Sequence, residues 1–293
     1  MLKTEDLKAE IRRLCKEKDA IILAHYYTIG DIQDIADFVG DSLALARKAA
    51  ETDAKAMVMC GVHFMAETCK LLSPDKMVLC PDLEAGCSLA DSCKAEDLKK
   101  FKEEHPGYQV ISYVNTTAAV KALTDVVVTS GNAKKVVDQL PKDAKLIFGP
   151  DYNLGNYINE VTGRQMLLWN GGCHVHERFS VSNILELKAK YPEAVVMAHL
   201  ECKAPVLAVA EVKGSTATML KYAQQSDKKQ FIPVPPEISE SGLECSCNEC
   251  QYMKLNTLEK VYNCLKNESP QIEIDSEIAK EAVKPINRML ELS

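Results

Sequence analysis

Short apolar runs alternate with stretches in which apolar residues recur every three or four positions, and this alternation passes along the chain three times. Leu7, Ile11 and Leu14 sit on one helical face and predict a helix over 5–18. The run AIILA predicts a buried strand over 20–24, and residues 32–50 predict a helix broken near Gly40, with Ser42 capping its second half. A strand over 56–60, a helix over 62–72 and a strand over 76–80 complete the first pass. The second predicts strands over 109–113, 125–129 and 145–148 and a helix over 133–140, then a long segment to Cys173. The third predicts a strand over 194–198, a strand or turn near 209–212, a helix over 215–224 and a strand over 230–234. Two further helices are expected over 255–266 and 276–291.

Each pass opens alike, with a helix and then a strand ending in an aromatic or histidine residue. The openings are EDLKAEIRRLCKEKDAIILAHYY from Glu5, EDLKKFKEEHPGYQVISYVNTT from Glu96 and NILELKAKYPEAVVMAHLEC from Asn183. The strand ends are His25, Tyr113 and His199, spaced 88 and 86 residues apart. Uninterrupted apolar strands between helices predict parallel sheets covered by helices. The expected division is three α/β units, 1–92, 93–178 and 179–262, with a helical tail over 263–293. No Pro/Gly-rich linker separates the units, so they are expected to pack tightly.

Ligands of open parallel sheets bind beyond the carboxyl ends of the strands. His25, Tyr27, Tyr113, Asn115, His199 and Glu201 all follow strands at that end. Cys60-Gly61, Ser130-Gly131 and Gly214-Ser215-Thr216 precede helices, where small residues either cap the helix or present N–H groups to an anion. One cysteine per unit lies in a loop beyond: Cys87, Cys173 and Cys250, at 62, 60 and 51 residues after the strand ends. Three converging thiolates suit an iron–sulfur cluster with one open iron, or a metal ion with an open position. Cys245, Cys247 and Cys250 with Cys264 could instead form a structural zinc site, which leaves Cys87 and Cys173 without a role. His174 and His176 flank the second loop cysteine as candidate ligands, donors to ligands or substrate binders. Cys15, Cys60, Cys69 and Cys80 read as buried small hydrophobes.

A net charge of −7 argues against nucleic-acid or anionic-membrane partners, and no apolar run approaches the ~20 residues of a membrane span. Nothing in MLKTEDLKAE marks the chain for export, so the expected location is the cytoplasm. Twelve cysteines kept reduced there point to metal binding or catalysis rather than disulfides.

Several long segments resemble the quinolinate synthase family, the A protein of bacterial and archaeal NAD biosynthesis. They are AHYY (24–27), QDIADFVGDSLALA (33–46), CGVHFMAET (60–68), SPDKMVLCPDLEAGCSLADSC (73–93), YVNTTAAVKA (113–122), GPDYNLG (149–155), VHERF (175–179) and GST (214–216). The resemblance implies three similar αβα sandwich domains related by a pseudo-three-fold axis, with parallel sheets and the active site at the axis. It implies a [4Fe–4S] cluster held by Cys87, Cys173 and Cys250, the last chosen over Cys247 because the Gln-Tyr-Met segment follows it. It further implies condensation of iminoaspartate with dihydroxyacetone phosphate to quinolinate, phosphate and water. Transient contact with the enzyme supplying iminoaspartate follows from that substrate. Implied substrate contacts are His25, Ser42, Tyr113, Asn115, Ser130, His199, Glu201 and Thr216. His25, Ser42 and Thr216 would meet carboxylate or phosphate oxygens, and Tyr113 and Asn115 the carboxylates of the nascent ring. Glu201 beside His199 would be the general acid/base, and Tyr27 a proton donor or a closure of the site. The chain departs from typical members at His199-Leu-Glu-Cys202, where proline usually follows the histidine, and at Gln251 after the third cysteine.

Overall fold

The computed structural model describes residues 3–234 and 250–293; Cys245 and Cys247 lie outside the described residues. The architecture is α/β, with three parallel sheets that follow one another along the chain. The first is built from β1 (Ala20–His25), β2 (Phe38–Gly40), β3 (Ala56–Cys60) and β4 (Met77–Leu79), in the order β2-β1-β3-β4. Helices α1 (Thr4–Lys18), α2 (Gly30–Ile35), α3 (Ser42–Glu51) and α4 (His63–Leu72) accompany it. After α5 (Ser88–Asp91) and α6 (Ala95–Glu104), the second sheet is formed by β5 (Gln109–Tyr113), β6 (Val126–Val128), β7 (Leu146–Gly149) and β8 (Leu167–Leu168). Its order is again second-first-third-fourth, β6-β5-β7-β8, with α7 (Ala118–Lys121), α8 (Ala133–Gln139) and α9 (Tyr152–Thr162) in the connections. Helix α10 (Val181–Lys190) leads into β9 (Val195–His199), then α11 (Ala204–Val209), β10 (Val212–Gly214), α12 (Thr216–Gln225) and β11 (Phe231–Val234), ordered β10-β9-β11. The repeated order gives the three units one topology, and in each the opening strand is central and buried.

The second strand of each unit is set by an acidic residue. Asp37 donates its N–H to Ile22 O at 2.9 Å, while its carboxylate accepts from Ile22 N at 2.7 Å. Asp125 does the same with Val110, at 2.9 and 2.7 Å, and Glu211 with Val196, at 2.9 and 3.3 Å. These three residues each stand 12 positions after His25, Tyr113 and His199. Each satisfies a buried strand N–H that would otherwise lack a partner.

That clamp corrects the helix expected over 32–50. Asp37 pulls the chain beside β1, so 38–40 form a strand and the helix divides into α2 and α3. Gly40 is needed there, because a Cβ would meet the Phe38 ring at 2.9 Å. Ser42 does not cap α3; Asp41 does, accepting from Ala44 N at 3.0 Å, and Ser42 becomes the first helical residue. Cys60-Gly61 follows β3, so its place in the repeat is not that of Ser130-Gly131; Asp41-Ser42, after β2, holds that place. The segment to Cys173 contains α9, capped by Asp151, and the short β8. The stretch near 209–212 is the end of α11 followed by β10.

The C-terminal segment returns to the first two units. Helix α13 (Leu258–Asn267) packs on α1, sharing a core with Ile11, Ile22 and Val58. Gln271 bridges Leu79 beside β4, and α14 (Ser276–Leu292) lies over α7 and β6. Cys264, with Cys15 and Cys60, is buried in the α1–α13 core, whereas Cys250 packs with a different cluster at the central cavity. The zinc grouping of Cys250 with Cys264 is therefore not formed.

Candidate functional site

The carboxyl ends of the three central strands converge on one cavity of about 690 Å³ of non-atom space, its open mouth included. All twelve site residues expected from the sequence line it. They fall into triples. His25, Tyr113 and His199 end the central strands; Tyr27, Asn115 and Glu201 stand two residues on; Ser42, Ser130 and Thr216 stand 17 residues on. The third triple follows the second strands, whose ends pair with or beside the first triple: His25 with Gly40, Tyr113 with Val128, His199 with Gly214. The topology thus delivers three aromatic or imidazole groups, three hydroxyls and a mixed polar triple to one place.

Within the cavity the groups engage across units. Tyr27 Oη and Thr216 Oγ1 are hydrogen-bonded at 2.5 Å. Ser130 Oγ is 3.2 Å from His199 Nε2, and His199 Nδ1 is 3.2 Å from Glu201 Oε2. The Glu201 N–H also donates to His199 Nδ1, at 3.4 Å, which puts the proton of the neutral ring on Nε2, toward the serine hydroxyl. Ser130, His199 and Glu201 thus stand side by side at the cavity. His25 is alike, because its Nδ1 accepts the Tyr27 N–H at 3.2 Å. That bond puts the proton of the neutral ring on Nε2.

Burial dominates the electrostatics. It lowers the pKa of His25 to about 3, with His199 adding to the effect and Glu201 opposing it. Burial holds the Tyr27 and Tyr113 hydroxyls well above their ordinary values, so both remain donors. For Glu201 burial pushes upward, but His176, His199 and the Tyr113 hydroxyl outweigh it and hold the carboxyl below its usual range. Asn115 Oδ1 and Glu201 Oε1 are buried without a partner and face a space where a ligand can supply one.

The three cysteines share a local design. Burial pushes the Cys87 thiol up to about 12, against the amides of Ala90 and Leu89, which point at its sulfur. Burial likewise raises Cys173 against the amides of His176 and Val175, and Cys250 against those of Met253 and Tyr252. Each sulfur is therefore approached by the N–H groups two and three residues on. Each cysteine carbonyl also accepts from the residue four on: Asp91 at 2.9 Å, Glu177 at 3.0 Å and Lys254 at 3.4 Å. A thiolate here has dipolar support from the amides, to which Lys254 adds a smaller favourable charge at Cys250, but burial still dominates. The three sulfurs do not all lie within 4.8 Å of one another; among the described residues only ligand atoms of Cys173, His176 and Glu201 do.

His176 was only one of several options in the sequence, and the structure brings it fully into the site. It is 2% exposed, stacks on His199 with ring centres 4.9 Å apart, and neither ring nitrogen has a hydrogen-bond partner. Its Nδ1 is 3.1 Å from Glu201 Oε2 without hydrogen-bond geometry. The signal was its position three after Cys173, on the turn that cradles the sulfur. Lys121 was missed altogether. It is fully buried, and its Nζ donates to Val114 O at 2.9 Å and to Thr116 O, gripping the chain on both sides of Asn115. The lone lysine among small and apolar residues in TTAAVKA was its trace.

Comparison with known proteins agrees with this arrangement. The family model for the quinolinate synthetase A protein matches residues 9–291. The chain is 52% identical to the quinolinate synthase of Chloroherpeton thalassium over 309 aligned positions, covering 98% of this chain and 95% of the relative. It is 52% identical to the quinolinate synthase of Thermosynechococcus vestitus, covering 98% and 96%, and 50% identical to that of Synechocystis sp., also covering 98% and 96%. Similarity of this extent, spanning all three sheets and all three cysteine turns, means that the chain belongs to the quinolinate synthetase A protein family.

Proposed function

We propose that this protein is a quinolinate synthase that condenses iminoaspartate with dihydroxyacetone phosphate to quinolinate, phosphate and water, with a [4Fe–4S] cluster held by Cys87, Cys173 and Cys250. The observation that carries the cluster is the repeated cysteine turn lining one cavity. Two sulfurs bound to one ion at about 2.3 Å each stand at most about 4.6 Å apart. Three sulfurs that do not all lie within 4.8 Å of one another favour a cluster, which offers each thiolate its own iron, over a shared single ion. The matching amide pairs also support Cys250 as the third ligand. When bound, such a cluster supplies a Lewis-acidic iron with an open position that polarises a substrate oxygen.

The chain's own groups carry the rest. His25, Ser42 and Thr216 hold carboxylate or phosphate oxygens, the hydroxyls at the starts of α3 and α12 adding to the helix N–H groups there. Tyr113 and Asn115 hold the ring carboxylates, with the unpartnered Asn115 side chain completed by the ligand. Glu201, beside His199, moves protons, and Tyr27, protonated and bonded to Thr216, donates or closes the site. No helix among the described residues is long and apolar enough to cross a membrane, in keeping with our reading of a cytoplasmic enzyme acting on small molecules. The test is iron and sulfide analysis of anaerobically purified protein together with quinolinate formation from the two substrates. A brown protein with iron and sulfide that makes quinolinate supports the reading; protein lacking both overturns it. The Cys173–His176–Glu201 group favours a second reading, a colourless zinc hydrolase, which the same metal analysis would reveal.

A further inference from the structure

Three side chains immediately beyond the cysteines meet one another. Ser88 follows Cys87, His174 follows Cys173 and Tyr252 lies two residues after Cys250. Ser88 Oγ and His174 Nδ1 are hydrogen-bonded at 2.5 Å. The His174 ring stands edge-to-face with Tyr252, centres 6.0 Å apart at 88°. The Tyr252 ring in turn covers Gly86, where a Cβ would meet it at 3.8 Å. All three residues are half-buried, and none lines the cavity. The contacts bring together three loops that are far apart in sequence.

The neighbouring chain is fitted to the same purpose. Trp169 Nε1 donates to Ser92 O at 3.0 Å, and a Cβ on Gly171 would strike Ser92 Oγ at 2.3 Å. The Cys173 loop is thus pressed against the end of α5, which begins directly after Cys87. The Cys250 loop has a different tether, the buried Asn256, whose Nδ2 donates to Gly61 O at 2.9 Å. Between the Cys250 and Cys173 turns themselves, the recorded side-chain contact is Tyr252 on His174.

We propose that Ser88, His174 and Tyr252 form a clasp on the side of the cysteine turns away from the substrate cavity, holding the three loops in register and slowing the escape of the bound cluster. This rests on the cluster reading above. The three are positioning residues: they neither hold iron nor touch substrate, and they act by keeping the sulfurs where a cluster needs them. Thiolate ligands that can swing outward one at a time give a chelator or oxygen a route to the irons, and tethering each loop to the next closes that route.

The experiment follows cluster loss in anaerobically loaded protein after addition of an iron chelator, read by visible absorbance and by iron released. Ser88→Ala and His174→Phe each remove the hydrogen bond, and Tyr252→Ala removes the ring contact, whereas Tyr252→Phe keeps it. A hydrogen bond of ordinary net strength corresponds to roughly fivefold, so Ser88→Ala, His174→Phe and Tyr252→Ala are expected to lose iron at least roughly fivefold faster. Tyr252→Phe should lose iron at the wild-type rate. The Ser88→Ala/His174→Phe double variant should be no faster than the faster single, because the two share one interaction. As a readout independent of the cluster, amide exchange of cluster-free protein should speed up over 87–92 and 173–178 in Ser88→Ala. Variants that load fully and lose iron at the wild-type rate overturn the clasp and leave the cluster intact as a proposal. Wild-type protein without iron and sulfide overturns the cluster reading itself.

Discussion

At the residue scale, the proposed acid/base role rests on Glu201. Its carboxylate is buried, faces His199 and His176, and keeps one oxygen without a partner. Glu201→Gln retains the shape but cannot take up or release a proton, so turnover should fall by ~10²–10⁴-fold while the binding of a pyridine dicarboxylate changes little. Asn115→Ala should weaken that binding along with the rate. Calorimetry beside steady-state kinetics separates the two, and near-normal turnover in Glu201→Gln would move the acid/base role to Tyr27 or His199. His25 gives a pH signature. Burial, helped by His199, keeps it neutral in the fold down to about pH 3. The unfolded chain takes up that proton near pH 6.5, so stability falls by up to about 1.4 kcal/mol per pH unit as the pH drops below 6.5, and is unaffected by His25 above it. Denaturant titrations of cluster-free protein at pH 7, 6 and 5 should show a slope shallower by one proton in His25→Gln; equal slopes would mean that His25 is charged in the fold. These residues were legible because each ends a short apolar strand in a repeated unit, where side-chain chemistry stands out. Lys121 was not, since burying an amine against two carbonyls leaves no periodic mark in sequence.

At the element scale, the strands that carry strand-end chemistry were visible, whereas β2 and the two-residue β8 were not. β2 is three residues long inside DIQDIADFVGDSLALA, whose apolar spacing also fits a helix. What decides it is tertiary, the two bonds between Asp37 and Ile22. The clue lay in the common offset of Asp37, Asp125 and Glu211, a signal of repetition rather than of hydrophobicity. Asp125→Ala would leave the N–H of Val110, itself 1% exposed, without an acceptor. The expected loss is about 1–3 kcal/mol, with Asp125→Asn milder because its amide oxygen still accepts. Chemical denaturation measures both; equal losses would show that the acceptor is not what matters. The cysteine turns were likewise half-visible: sequence supplied the three thiols, whereas the paired amides on each sulfur depend on helical turns too short to be read from pattern. Cys87→Ser, Cys173→Ser or Cys250→Ser should each abolish iron and sulfide content with secondary structure retained, as metal analysis and circular dichroism would report. A full cluster in Cys250→Ser would transfer the third ligand to another cysteine.

At the scale of the whole molecule, the site belongs to none of the three sheets alone. Ser130 of the second sheet's connection meets His199 of the third, which stands beside Glu201, and Tyr27 beyond the first sheet bonds Thr216 beyond the third. The repeat made this three-part plan legible, but it gave no hint that the last segment returns to the start, because α13 meets α1 through an apolar face like that of any helix. Deleting α14 should uncover β6 and α7, including the fully buried Ile286 and Met289, and lower the thermal midpoint by several degrees; an unchanged midpoint would make α14 an ornament. That same return has a consequence for biosynthesis. On the cluster reading, Cys250 and the helix that seals the first unit leave the ribosome after Cys87 and Cys173, so two thiols wait in the nascent chain for the third. A translation complex arrested before Cys250 should therefore hold neither iron nor sulfide.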